Sequence, residues 1–277
     1  MVINTNISSI NSQRQLNKTN LDLSTSMERL SSGLRVNSAK DDAAGLAISN
    51  RMTSQIRGMT VATRNANDGI SMAQTAEAAM GTLTETMQRM RDLAVQSAND
   101  AGVSTEDRDK LQEEFKQLND ELTRIITNTE FNGKKIINGS LAGGLAVQVG
   151  ANTSADNQIL ISIDNLSVTV GSVTTASIGG LAGASGALSA INQLDAAIKS
   201  IDTSRAKLGA IQNRFTTTIT NLQSSIENQS AARSRITDTD FAMETANLSR
   251  NQILQQAGTA MLAQANQSGQ AVMKLLQ

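Results

Sequence analysis

Few residues of this chain have the types that carry covalent or metal chemistry, and their spacing limits what they could do. Ser204-Arg-Ala-Lys207 has the Ser-x-x-Lys spacing in which a lysine takes the proton of a nucleophilic serine. The Ser-Asp-Asn and Lys-Thr-Gly elements that complete such a site are missing, and a helix rich in Ser and Lys produces the spacing by accident. The pairs Asp41/Asp42 and Asp238/Asp240 could serve acid–base work or hold magnesium, yet each precedes a helical pattern, where carboxylates cap free amides. Arg233 and Arg235 are then expected to pair with Asp238 or Asp240. Gly180, Gly183 and Gly186 would cradle a phosphate only after a strand and before Lys-Ser or Lys-Thr; Ala187-Leu188 follows instead, so this is a loop. Met80, Met87 and Met90 could form an adaptable binding surface, but at helical spacing they read as core.

Composition narrows the field further. Among 277 residues there is no His, Cys, Trp, Tyr or Pro, which excludes cysteine nucleophiles, imidazole acid–base sites, zinc sites with His or Cys ligands and disulfides. No catalytic residue, metal or cofactor is expected, and the chain does not read as an enzyme. Four Phe are the whole aromatic content, too few for a base-stacking platform, and a formal net charge of -1 attracts neither nucleic acid nor anionic lipid. No run approaches the roughly 20 apolar residues of a membrane-spanning helix, so no membrane insertion is expected. Met1-Val-Ile-Asn-Thr-Asn lacks the basic and apolar regions of a signal peptide.

Apolar residues at alternating three- and four-residue steps mark both ends of the chain, the seam pattern of packed helices. Ile3, Ile7 and Ile10 lead to Leu16, Leu23, Met27, Leu30 and Leu34 on a helix otherwise made of Asn, Ser, Thr and Gln. So thin a stripe buries too little to offset the entropy of ordering, and it demands a partner helix or a neighbouring subunit. Gly33, Asn37, Ser38 and Asp41-Asp42 predict a connector ending in an N-cap before Ala43. From Ala44 to Asn99 the same rhythm runs through Ile56, Ala66, Ala73, Met80, Leu83, Met87, Met90 and Ala94, a rod of roughly 80 Å at 1.5 Å per residue. Ser104 and Asp107 have capping-box spacing before a third helix carrying Leu111, Phe115, Leu118, Leu122 and Ile125.

The middle changes period. Asn132-Gly133 and Asn138-Gly139 are turn dipeptides, and Leu145, Val147 and Val149 alternate as in a strand. Ile159, Ile161 and Ile163 alternate likewise, Asp164-Asn165 supplies a turn, and Leu166, Val168 and Val170 return, which predicts a hairpin. Gly-, Ala-, Ser- and Thr-rich sequence to Ser189 predicts a surface loop. Helix resumes near Ala187 with Leu194, Ile201, Leu208, Phe215 and Leu222 at consecutive sevens. A last helix carries Leu248, Leu254, Ala257, Met261, Ala265, Val272 and Leu275, and mirrors the first in composition. The expected fold class is mainly α: a long antiparallel helical bundle or coiled coil formed by both chain ends, with a small β-hairpin region in the middle.

Two long segments carry a resemblance. Leu30-Ser-Ser-Gly-Leu-Arg-Val-Asn-Ser-Ala-Lys-Asp-Asp-Ala-Ala-Gly-Leu-Ala-Ile-Ser-Asn-Arg51 and Ala231-Ala-Arg-Ser-Arg-Ile-Thr-Asp-Thr-Asp-Phe-Ala-Met-Glu-Thr245 resemble bacterial flagellin. Thr129-Glu-Phe-Asn-Gly133 and Val147-Gln-Val-Gly-Ala-Asn152 look like its strand region, and the likeness spans residues 1–140 and 187–277. It implies a self-assembling structural subunit of the flagellar filament, serving motility. Residues 1–43 and 234–277 would form the inner filament tube with its connector, 44–140 and 187–233 the outer-tube bundle, and 141–186 a short hairpin and variable surface region. The last is too short for the large outer domains many flagellins carry. Subunit packing is expected at Ile3, Ile7, Ile10, Leu23, Leu30, Leu254, Met261 and Leu275.

The resemblance also implies partners and a location. The terminal segments would be disordered in the free monomer and fold in a homopolymeric helical filament that meets hook-associated and cap proteins. Export would be unfolded, through the flagellar type III apparatus and without a cleavable signal peptide, to an extracellular flagellum. A flagellin export chaperone would take the apolar stretch Leu248 to Leu276 as a helix in a groove. Gln88 to Gln96 looks like the segment read by the Toll-like flagellin receptor of hosts. Arg89, Leu93 and Glu114 stand on its key positions, with Met90 and Asp92 in place of the commoner Val and Glu. Ser167, Ser172, Thr174, Thr175, Ser177 and Ser185 are candidates for O-glycosylation. The alternatives are a hook-filament junction protein, which shares the terminal-helix design, and a coiled-coil binding module.

Overall fold

The computed structural model describes residues 5–180 and 182–274, and of 268–274 the backbone alone. Six α-helices and two small antiparallel strand pairs follow in the order α1 (Ile7–Ser32), α2 (Ala43–Ser97), α3 (Thr105–Asn128), β1 (Glu130–Phe131), β2 (Lys134–Lys135), β3 (Leu145–Gln148), β4 (Gln158–Ile161), α4 (Leu166–Thr174), α5 (Gly183–Thr237) and α6 (Phe241–Lys274). The mainly α class read from the sequence is the observed one. The chain divides into two compact units, residues 1–56 with 227–277, and 57–226.

The second unit holds the core, and heptad arithmetic builds it. On α2, Ala66, Ala73, Met80, Met87 and Ala94 fall at sevens, and so do Ala76, Leu83, Met90 and Ser97; all are buried. Leu194, Ile201, Leu208 and Phe215 do the same on α5, while Phe115, Leu122 and Ile126 complete the core from α3. Two polar contacts fix the antiparallel alignment of α2 and α5 here: Gln212 donates to Glu77 at 2.9 Å and Arg91 to Asp195 at 2.7 Å. At the Gly69 position of the second seam a Cβ would stand 2.8 Å from Phe215 Cζ, so the missing side chain makes room for the ring. The capping box forms as expected, with Ser104 Oγ accepting from the Asp107 amide at 3.2 Å and donating to its carboxylate at 2.7 Å.

The strands differ in part from the expectation. Asn132 (φ 50°) and Gly133 (φ 74°) are both left-handed, as a two-residue hairpin turn requires, and join β1 to β2. β4 pairs with β3, Leu145 opposite Ile161 and Val147 opposite Ile159, and not with the segment after Asp164. That segment is helix α4. Asn165 caps it by accepting from the Ser167 amide at 3.0 Å. Leu166, Val170 and Val173 are buried at helical spacing while Val168 is exposed, so burial at steps of four and three overrides the period-two pattern. The Gly-rich stretch that follows is pinned to α2 and α3, not free at the surface. Ile178 is buried, its amide donates to Gln112 at 2.6 Å, and its carbonyl accepts from Ser97 Oγ at 2.6 Å.

Candidate assembly surface

In the first unit α1 and α6 pair antiparallel, and the contacts are polar or small. Asn6, the N-cap of α1, accepts from the Ser9 amide and donates to the Ala265 carbonyl at 2.8 Å. Ser9 Oγ donates to Asn266 at 2.8 Å and Gln255 to Asn20 at 2.9 Å, Gly258 lies against Leu16, and Arg29 reaches Glu244 at 3.8 Å. Ser9, Thr19, Ser26 and Glu244 are the residues of this pair that become fully buried among those described. Leu16, Leu23 and Leu30 are half-buried.

The larger apolar side chains point away from that seam. Ile7 is 69% exposed, Leu254 46% and Met261 61%, and Ile10, Leu21, Met27, Phe241, Met243 and Ile253 are exposed as well. Of the expected packing residues, Ile7, Ile10, Leu254 and Met261 lie on this outward surface and Leu23 and Leu30 at its edge; Ile3 and Leu275 lie outside the described residues. Leu21, Phe241, Met243 and Ile253 join them there, outside the single stripe per helix that the three-four rhythm marks. The signal was present: Leu21 follows Ile10, and Leu254 follows Met243, by eleven residues, three full turns. Withdrawing one such side chain from water contributes about 1.5–3 kcal/mol, so this surface stores more apolar stabilisation than the polar seam uses.

The helix pair is closed at one end by a short bridge. Gly33, left-handed at φ 72°, ends α1 and turns the chain so that Leu34 pairs with Asp238. The Arg35 amide donates to Thr237 O at 2.7 Å and the Thr239 amide to Gly33 O at 3.1 Å. One aspartate of each pair acts as the expected cap: Asp42 accepts from the Gly45 amide at 2.8 Å, and Asp240 from Ala242 and Met243, while Asp41 and Asp238 cap no helix. Asp41 gathers the amides of Asn37 and Ser38 and the Ser38 hydroxyl, and these bonds, the hydroxyl's above all, hold its carboxyl below the ordinary range. Arg233 does not pair with Asp238. It reaches Thr53 Oγ1 at 3.3 Å, because Asp238 is already taken by the hydroxyls of Ser234 and Thr237.

The second unit carries the other sequence candidates. Arg89 makes two bonds to Glu114 Oε1, at 3.0 and 2.6 Å, tying α2 to α3 on an exposed face. Leu93, one turn along α2, is 2% exposed and belongs to the core beneath them. Ser167, Ser172, Thr174, Thr175, Ser177 and Ser185 are all exposed. Ser204 and Lys207 do come together, but on Asp164: Lys207 Nζ at 2.8 Å and Ser204 Oγ at 3.2 Å both meet Oδ2. Lys207 first, then Ser204, holds the Asp164 carboxyl below its ordinary value, the signature of a charged clamp. A serine whose hydroxyl is directed at a carboxylate, with the lysine held on the same oxygen, is not set up as a nucleophile. Among the described residues no helix is long and apolar enough to cross a membrane.

Comparison with known proteins agrees with this geometry. Residues 3–142 match the bacterial flagellin N-terminal helical region and residues 191–276 the bacterial flagellin C-terminal helical region. Flagellin A of Vibrio anguillarum is 38% identical over a 379-position alignment that covers 100% of both chains. That alignment exceeds the 277 residues here, so the relative carries sequence with no counterpart in this chain. The crystal structure of Bacillus cereus flagellin is similar at 30% identity and TM-score 0.50, over 61% of this chain and 94% of that one. A flagellar hook-associated protein of Vibrio parahaemolyticus shares the fold at 12% identity and TM-score 0.57, over 72% of this chain and 100% of that one. Polar seam, outward apolar surface and both matched end regions converge: the chain belongs to the bacterial flagellin family, as a short form.

Proposed function

We propose that the outward face of α1 and α6 is the surface through which neighbouring subunits pack, and that these helices gain their order from polymerisation. As a flagellin the chain is a structural protein, not an enzyme. It is a subunit of the homopolymeric flagellar filament outside the cell, in association with hook-associated proteins. The observation that carries the packing reading is the inversion of burial within one helix pair: Ser9, Thr19 and Ser26 inside, Ile7, Leu254 and Met261 outside. A pair so built gains its apolar stabilisation from other copies, and a segment that folds on association meets its ordering cost at that moment. Residues 1–43 with 234–277 then form the inner tube, 44–140 with 187–233 the outer tube, and 141–186 the variable surface. The test is seeded growth from short filament fragments: the full chain elongates them and a chain lacking residues 1–35 does not. A full chain that caps seeds without extending them overturns the reading and favours the junction protein.

The finer partners follow from the family resemblance. Arg89 and Glu114, locked together on the exposed face, form the charged part of the host receptor's recognition surface, and Leu93 supports it from the core. Arg89→Ala is expected to lower receptor signalling in reporter cells about tenfold, as loss of an interface arginine does, while leaving seeded growth intact. Unchanged signalling from a folded variant removes that role. The apolar face of α6 serves the export chaperone before it serves the filament, and the cap protein receives subunits at the growing end. Export proceeds unfolded, aided by a chain with neither Cys to crosslink nor Pro to isomerise slowly. The exposed hydroxyls from Ser167 to Ser185 accept O-linked sugar, visible as added peptide mass.

A further inference from the structure

We infer that Met27, Met243 and Met261 form an oxidation-sensitive element through which peroxide blocks incorporation of the subunit. The inference rests on the packing surface proposed above. With no Cys, His, Trp or Tyr, the chain offers a mild two-electron oxidant essentially its methionine sulfurs alone. Of the eleven methionines the structure sorts eight into two classes; Met52 on α2 is half-buried, and the side chains of Met1 and Met273 lie outside the described residues. Met59, Met72, Met80, Met87 and Met90 lie buried in α2. Met27, Met243 and Met261 are 52%, 64% and 61% exposed, all in α1 and α6.

Their placement gives the modification a target. Met243, Leu254 and Met261 are spaced by eleven and seven residues, so they fall within a narrow stripe along α6, with a methionine at each end some 27 Å apart. Met27 stands on α1 near the half-buried Leu23 and Leu30. In the reaction one peroxide oxygen is transferred to the thioether sulfur, which gives up two electrons, and the other leaves as water. The product is a polar, chiral sulfoxide on a face that must be desolvated during packing, and an unsatisfied polar group there is costly.

The experiment uses the full chain. Monomer is treated with dilute hydrogen peroxide, its sulfoxides are located by peptide mass, and seeded elongation is compared with that of M27L/M243L/M261L treated in parallel; leucine keeps volume and apolarity. The expected result is sulfoxide at 27, 243 and 261 ahead of 59, 72, 80, 87 and 90, and elongation slowed roughly tenfold relative to its own untreated rate in the wild type but not, relative to its own, in the variant. Preformed filaments should resist oxidation at the same three positions. Wild-type monomer carrying those sulfoxides and elongating at the untreated rate overturns the inference and leaves the packing surface standing. Untreated monomer that never elongates seeds overturns both.

Discussion

Leu254→Asp is expected to abolish filament growth without loosening the folded core. The monomer remaining after seeded growth is expected to rise at least about a hundredfold, since a desolvated unpaired carboxylate costs several kcal/mol in each new contact. Leu254 is 46% exposed on the α1–α6 pair and belongs to the unit made by the chain ends, so the thermal transition of residues 57–226 stays where it is. Leu254→Met, which keeps an apolar side chain of like volume, should still assemble. Elongation by the aspartate variant at the wild-type rate would remove this stripe from the packing surface, whatever the fate of the opposite face of α6. The pairing of a lost polymer with an intact monomer separates a surface role from a folding one.

The second large effect falls on the other unit. Phe215 is fully buried on α5 with its ring over Gly69, a position of the second α2 seam without a side chain. Phe215→Ala removes the ring and leaves a cavity that neither helix can close, because Gly69 has nothing to move in. The expected cost is about 3–5 kcal/mol, a fall in Tm on the order of 10 °C for a unit of this size. Thermal unfolding followed by circular dichroism reads it, and a fall under 2 °C, on a scale of about 2–4 °C per kcal/mol, would mean that the site collapses around the missing ring. Gly69→Ala with Phe215 retained should also destabilise, through crowding at 2.8 Å instead of a void.

Helical seams were legible because one rule, apolar residues at sevens, fixes both helix and burial: Leu194, Ile201, Leu208 and Phe215 are buried as spaced. Caps were legible because a short polar side chain before an apolar run has few other uses, as Asp42 and Ser104 illustrate. Leu166-Ser-Val-Thr-Val170 is ambiguous in sequence because five residues fit period two and a helical turn alike, and tertiary burial of Val173 decides between them. Arg233 was misassigned since neighbours in sequence compete with partners 180 positions away. At the assembly surface the apolar residues were visible but not their direction. The α1–α6 interface selects small residues such as Ser9 and Gly258, and nothing local marks a serine as an inside position.

The bridge at Leu34 and Asp238 has a kinetic consequence. Contacts between the chain ends span up to 259 residues, the costliest loops to close in a chain of this length. Once the intervening residues are folded, that loop shrinks to the short arms on either side, and the bridge is the first place where they meet. From there the arms zip toward the tips, Arg29 on Glu244, Asn20 on Gln255, and Asn6 on Ala265 last. Among the described contacts that of Asn6 with Ala265 is therefore the last made and the first to open, and under the packing proposed above a subunit arriving at a growing end would close it as it finds neighbours.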